Sequence, residues 1–152
     1  MGLGGRGNDG VSGQVKQTPG TIGYVELAYA NQNKLAVAKV KNAAGQFVAP
    51  TIASITAAAA GAAEKLPPTT DYRVSIVNAP GAAAYPISSF TWLLVYQRQT
   101  DATKSKKLVD FMKWALTEGE GSAATLDYAP LPASLGAQLM DRVASIQVGT
   151  AS

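Results

Sequence analysis

Apolar residues recur along this chain at two spacings, and each spacing predicts an element. Val11 and Val15 stand i, i+4 behind the glycine-rich stretch GLGGRGNDG of residues 2–10. That spacing predicts a short helix, capped by Asn8 or Asp9 and stopped by Thr18-Pro19-Gly20. Thr21-Ile22-Gly23-Tyr24-Val25 reads as a buried strand, and Glu26 to Asn33 as one or two helical turns. Leu35, Val37 and Val40 alternate as a strand, and Asn42-Ala43-Ala44-Gly45 turns the chain toward Phe47 and Val48.

The alanine-rich run of residues 51–66 is helical by propensity and ends at Pro67-Pro68. Arg73 to Val77 predicts a short strand, followed by the breakers Asn78-Ala79-Pro80-Gly81. Tyr85-Pro86-Ile87-Ser88-Ser89 leads into Phe90 to Tyr96, whose near-continuous apolar character predicts a strand buried on both faces. Leu108, Phe111, Met112 and Ala115 share one face of a helix predicted over Lys107 to Thr117, with Gly119 beyond its end. A short helix over residues 122–127 and a last one from Pro132 to Ile146, with Leu135, Leu139 and Val143 in register, complete the pattern. The fold class expected is α/β with short strands.

Composition removes whole classes of chemistry. The 152 residues include no cysteine and no histidine, so there is no disulfide framework, no thiolate metal site and no imidazole base. No apolar run approaches the roughly 18 residues of a membrane span. Thirteen basic and ten acidic side chains leave a net charge of +3. Only Lys104, Lys106 and Lys107 cluster, at the start of an amphipathic helix, so no basic stripe for nucleic acid is present. No cofactor or metal is expected.

Candidate motifs are few. Gly2, Gly4 and Gly7 spell G-x-G-x-x-G, and Glu26 lies near the offset of a ribose-binding acid. That fingerprint must follow a strand, and only Met1 precedes Gly2, so a dinucleotide site is rejected. The same loop can offer backbone N–H groups and Arg6 to an anion, but Asp9 puts a carboxylate in that turn and favours capping. Ser88 and Ser89 have no histidine to activate them, and no S-x-x-K spacing occurs. The carboxylates include no pair framed for glycoside chemistry. Asp127-Tyr128, beside Pro130 and Pro132, reads as a helix-end hydrogen bond. Tyr24, Tyr29, Phe90, Trp92, Tyr96, Phe111 and Trp114 read as packing residues, and no enzyme activity is expected.

Four blocks taken in order carry a family resemblance: GLGGRGNDGV (Gly2–Val11), PGTIGYVELAYA (Pro19–Ala30), YPISSFTWLLV (Tyr85–Val95) and LDYAPLP (Leu126–Pro132). Together they resemble the periplasmic phosphate-binding proteins of bacterial phosphate ABC transporters, over nearly the whole chain. The resemblance implies a type II periplasmic-binding-protein-like α/β receptor of two lobes that close on phosphate and deliver it to an ABC permease. It also implies that only part of that receptor is present. Residues 1–81 would be the later half of lobe two, 82–89 the hinge, 90–147 the C-terminal part of lobe one and 148–152 a tail.

The family's ligand motifs, a Thr-aromatic pair, a serine, an aspartate, an arginine and a Ser-Gly-Thr turn, have no counterpart here. Val148-Gly149-Thr150 is misplaced for the last of them. No ligand contact is therefore carried over, and Gly7 and Asn8 of the glycine-rich loop are the candidates for lying near the cleft. The expected partners are inorganic phosphate in the complete receptor, the permease, and the missing N-terminal half or a second copy of the chain, which could complete the exposed sheet edges by domain swapping. The parent protein would be periplasmic or cell-surface. The absence of a leader after Met1 would then mean a lost or engineered start, a truncated gene or a split receptor. Alternatives are a structural subunit that pairs with another chain, or a receptor half for sulfate or tungstate.

Overall fold

A computed structural model describes residues 2–62, 65–67 and 69–148. Five helices carry the architecture: α1 (Gly7–Gln17), α2 (Leu27–Gln32), α3 (Ile52–Gly61), α4 (Ala102–Ala115) and α5 (Ala133–Ala144). Strands are minimal among the described residues. β1 (Val40–Lys41) pairs antiparallel with β2 (Phe47–Val48), and β3 (Arg98–Gln99) pairs in parallel with β4 (Gln147–Val148). The chain is thus mostly helical, where α/β alternation was expected.

The helices formed where local signals were complete. Thr51 caps α3 with a reciprocal box: its hydroxyl accepts from the Ser54 amide at 3.1 Å while Ser54 Oγ accepts from the Thr51 amide at 2.9 Å. Asp101 caps α4 through the Lys104 amide at 3.0 Å, so this helix starts a turn and a half before the apolar stripe suggests. Helices α4 and α5 are in contact, and Met112 of α4 and Leu135 and Val143 of α5 are buried. Residues 118–122 and 124–126 form 3₁₀ turns in place of one short α-helix.

The caps expected for α1 did not form. Its N-cap is Arg6, with no side-chain capping bond, and Gly7 opens the helix at φ +62, a left-handed value that glycine adopts without strain. Gly5 and Gly10 meet so closely that a Cβ on Gly5 would lie 2.6 Å from the Gly10 carbonyl carbon. Gly5 and Gly10 therefore serve close backbone approach, while Gly2, Gly4 and Gly7 have open space around them. No strand precedes them among the described residues.

Three expected strands carry no ladder. Thr21–Val25 is irregular, with Ile22 94% and Tyr24 90% exposed, while Gly23 lies against α1, near Val11 and Val15. Arg73–Val77 buries Ile76 but pairs with no strand. Phe90–Tyr96, expected to be covered on both faces, leaves Leu94 88% and Tyr96 85% exposed. Of the strand predicted over residues 35–40, only Val40 is paired. The packing role expected of the aromatics fails accordingly for Tyr24 and Tyr96, and Trp92, Phe111 and Trp114 are also substantially exposed. The cause is common to all three segments. A ladder needs a neighbouring strand, and none lies alongside them among the described residues.

The main core is small-residue packing. Ala58, Ala59 and Ala62, at the end of α3, meet Ile76, Ala79 and Ala84, with Phe90 against the cluster. Asn42 fastens this core to the β1–β2 turn. Its buried Nδ2 donates to the carbonyls of Gly81, Ala82 and Ala84 at 3.1, 2.9 and 3.0 Å. Its Oδ1 accepts from the amides of Ala44 and Gln46 at 3.1 and 3.0 Å. The Tyr85 amide donates to Ser54 O at 3.0 Å, and the Asn78 amide to Pro86 O at 2.8 Å. The breaker-rich segment 78–86 is therefore held to both the hairpin and α3. Residues 149–152 of the expected tail lie outside the described residues, as do Ala63 and Glu64 of the predicted alanine helix and Pro68 of its predicted stop.

Candidate functional site

The glycine-rich loop, the segment after α1 and the turn before α5 meet through side chains. Asn8, in the first turn of α1 and half-buried, accepts from the Glu26 amide through Oδ1 at 3.1 Å. Glu26, just ahead of α2, accepts from the Tyr128 hydroxyl through Oε2 at 3.1 Å, across 102 residues of sequence. At the far end of α2, Asn31 donates from Nδ2 to Asp127 Oδ1 at 2.6 Å, across 96 residues. Asp127 reaches this position because it ends the second 3₁₀ turn at φ +62, a conformation asparagine and aspartate tolerate better than most residues. Glu120 accepts from the Leu131 amide at 2.9 Å and holds the following chain.

This seam joins residues from three of the four sequence blocks. Of the two candidate residues, Asn8 belongs to it, while Gly7 is exposed and supplies backbone conformation. Glu26, Asn31 and Tyr128 were not singled out for this contact, because nothing in a sequence registers pairs about a hundred residues apart. Asp127-Tyr128 does make the helix-end bond expected of it, the Asp127 amide donating to Ala124 O at 3.2 Å, but both side chains act elsewhere.

The electrostatics of the seam are those of an exposed carboxylate–phenol pair. Hydrogen bonding to the Glu26 carboxylate favours the protonated phenol and holds Tyr128 above the usual tyrosine value of about 10, with smaller contributions from the Glu26 charge, burial and Tyr29. A raised folded-state value means the interaction is fully present below the unfolded phenol's titration and is lost as pH rises through the folded one. Tyr85 is also raised, by burial. An ultraviolet titration should therefore show two late phenols. Glu26→Gln should return one of them toward the ordinary value and Tyr128→Phe should delete it; an unchanged titration in Glu26→Gln would remove Glu26 as the cause.

Two spaces lie elsewhere among the described residues, and neither is lined by the residues of the seam. A half-open space of about 20 Å³ lies between Ala59, Leu66, Pro132, Ser134, Leu135 and Gln138, where Gln138 Oε1 is buried without a partner. That volume accommodates one water and no oxyanion. A larger, open groove of about 310 Å³ is lined by Leu93–Tyr96, Gln99, Leu108 and Phe111, with no charged side chain. Among the described residues no cluster of acidic, histidine or cysteine ligands suits a metal ion, and no helix is long and apolar enough to cross a membrane. Arg6 stands exposed at the start of α1, with Asp9 in the same first turn.

Comparison with known proteins decides what these segments are part of. A family described as a PBP superfamily domain matches residues 1–118. The chain belongs to the PBP superfamily. Several relatives are phosphate-binding proteins. The phosphate-binding protein PstS of Xylella fastidiosa (strain 9a5c) is 44% identical over 138 residues, covering 91% of this chain and 37% of that protein. PstS of Haemophilus influenzae is 39% identical over 134 residues, covering 88% of this chain and 40% of its own length. PstS of the archaeon Methanocaldococcus jannaschii is 42% identical over 127 residues, covering 78% and 33%. The chain thus spans well under half the length of these relatives. The resemblance expected from the four sequence blocks holds, and it is partial.

Proposed function

We propose that this PBP superfamily chain is part of a phosphate-binding solute receptor of an ABC-type import system, and that it supplies framework around the cleft rather than the contacts to phosphate. The observation that carries this reading is the 44% identity to a phosphate-binding protein, spread over 91% of the chain. The absence of histidine and cysteine accords with a binding role rather than catalysis. In this reading selectivity in the complete receptor would come from fixed hydrogen-bond donors with a carboxylate acceptor that demands a protonated oxyanion, and those groups would lie outside this sequence, which has no counterpart of the resembled family's ligand motifs. The permease and inorganic phosphate are the partners of that complete receptor, which works outside the cytoplasmic membrane.

In this reading residues 2–81 belong to lobe two, 82–89 to the crossover and 90–147 to lobe one. The Glu26–Tyr128 and Asn31–Asp127 hydrogen bonds then run from one lobe to the other. Titration calorimetry with inorganic phosphate tests the assignment. The chain alone should show no affinity tighter than millimolar, and the chain combined with the remainder of a PstS relative should bind in the micromolar range. Micromolar binding by the chain alone, or none by the combination, would overturn the reading.

A further inference from the structure

The hairpin of β1 and β2 has two unlike faces. Val40 pairs with Val48 and Lys41 with Phe47, so Lys41 and Phe47 project from one side and the two valines from the other. Val40 and Val48 are half-buried, and Asn42, next on their side of the strand, is buried in the clamp on residues 81–84. That side faces inward. On the outward side Phe47 is 68% exposed and Lys41 is exposed, and Lys39 and Val37 precede Lys41 at strand alternation, both exposed. The tip, residues 43–46, is exposed and uncharged. It is closed by the Asn42 amide on Gln46 O and the Gly45 amide on Asn42 O, each at 2.9 Å. The Lys41 stem lies along this tip, its Cε 3.9 Å from where a Cβ on Gly45 would stand. Residues 27–62 include Lys34, Lys39 and Lys41 and no aspartate, glutamate or arginine. None of these three lysines forms a salt bridge among the described residues.

We propose that this outward face, Val37, Lys39, Lys41 and Phe47 with the tip, docks the chain on an anionic lipid surface. The tip and the Phe47 ring enter the headgroup layer, and the lysine ammonium groups stay among the lipid phosphates. This surface does not depend on the receptor reading. Three features select a lipid surface over a protein. The tip is built of alanine and glycine beside one large ring, which offers no shape for a partner's pocket to match but suits a fluid layer. Its cations are lysines alone. An ammonium is a point charge that responds to the diffuse field of anionic headgroups, whereas a carboxylate-bearing protein face is matched better by the arginine fork. The lysine stems let apolar carbons lie beside the tip while the charge rises to the phosphates, as the Lys41 stem already does along the turn. The Asn42 clamp holds the hairpin in place beforehand, so docking has little backbone left to order.

Co-sedimentation of the full chain with vesicles tests the proposal. Binding to equal parts phosphatidylglycerol and phosphatidylcholine should be at least about tenfold tighter than to phosphatidylcholine alone, and should weaken as salt rises. Removing both charges in Lys39→Gln/Lys41→Gln should weaken it about twentyfold, at roughly fivefold for each lysine. Phe47→Ser should weaken it about fivefold or more. The same charge removed from α4, in Lys104→Gln/Lys107→Gln, should leave binding unchanged; these lysines are also exposed. The chain has no cysteine, so a fluorophore on Ala44→Cys reports the tip alone. Its emission should move to the blue on anionic vesicles, while the same label on Ala137→Cys, exposed on α5, should stay water-like. Inorganic phosphate at matched ionic strength should not release the chain. Equal binding to both kinds of vesicle, an equal loss in the α4 pair, or a blue shift at Ala137 and none at Ala44 would overturn the proposal. Release by inorganic phosphate would mean a site for the free anion and would overturn it too. So would no binding to any vesicle, including the case where polyglutamate is bound instead and the face belongs to an acidic protein.

Discussion

Asn42→Ala is expected to destabilise the chain by about 3 kcal/mol or more, the largest loss from any single polar residue described. Asn42 is buried and occupies both ends of its amide, with Nδ2 serving the carbonyls of Gly81, Ala82 and Ala84 and Oδ1 the amides of Ala44 and Gln46. Alanine removes every one of these bonds. It leaves carbonyls and amides facing a space too crowded to hydrate them freely. Asn42→Asp provides the sharper test, since it keeps the acceptor and removes the donor. A carboxylate against three carbonyls is repulsive, so aspartate should rescue nothing in a urea melt, although amide exchange at Ala44 and Gln46 should stay slower than in the alanine variant. Rescue by aspartate would mean that the turn amides matter more than the clamp on residues 81–84. In the receptor reading the clamp also has a mechanical consequence. Residues 81–84 move with the β1–β2 hairpin, and the Tyr85 and Pro86 backbones are held to Ser54 and Asn78, so rotation about the crossover falls to the residues after Pro86.

Gly61→Ala should cost about 3 kcal/mol for a steric reason. A Cβ at this position would stand 2.0 Å from the Pro80 carbonyl oxygen, well inside contact distance, and both groups are backbone. The end of α3 and the Pro80 segment must part to admit it, which opens the alanine cluster that depends on their closeness. Gly13→Ala and Gly136→Ala are the controls. Both positions lie within helices with nothing near an added Cβ, so each should gain roughly 0.5–1 kcal/mol from the better helix former. Thermal unfolding of the three variants should therefore move in opposite directions, with a fall of several degrees for Gly61→Ala. A neutral Gly61→Ala would show that the α3–Pro80 contact gives way at little cost.

The candidate site was half legible. Asn8 stands out in the sequence because it lies in a glycine-rich turn ahead of a helix, and it does take part in the polar seam. Its role differs from the one its type suggests, because its side chain turns away from its own helix to serve the Glu26 amide. Glu26, Asn31, Asp127 and Tyr128 looked like separate local features: a distant acid, a helix end, a cap and an aromatic. They form two contacts because the chain folds its beginning against its end, and no spacing rule registers that. Asn42 was equally hidden. It read as one residue of a four-residue turn, and the turn is real, but its carbonyl partners lie 39 to 42 residues away.

The sequence by itself determined the helices and the family. Helical hydrogen bonds close within four residues, so the apolar spacing of α1, α4 and α5 and the alanine content of α3 carry most of what each needs. The order of the four blocks carried the kinship to phosphate-binding proteins, which needs no structure. Tertiary structure decided which apolar runs become strands. TIGYV, RVSIV and FTWLLVY are all strand-like in composition, and a strand exists only when a neighbour supplies its hydrogen bonds. In the described chain that supply reaches β1 to β4, two residues each, and stops. The same non-local dependence made Asn42, which the sequence marks only as a turn residue, the buried link between the β1–β2 turn and residues 81–84.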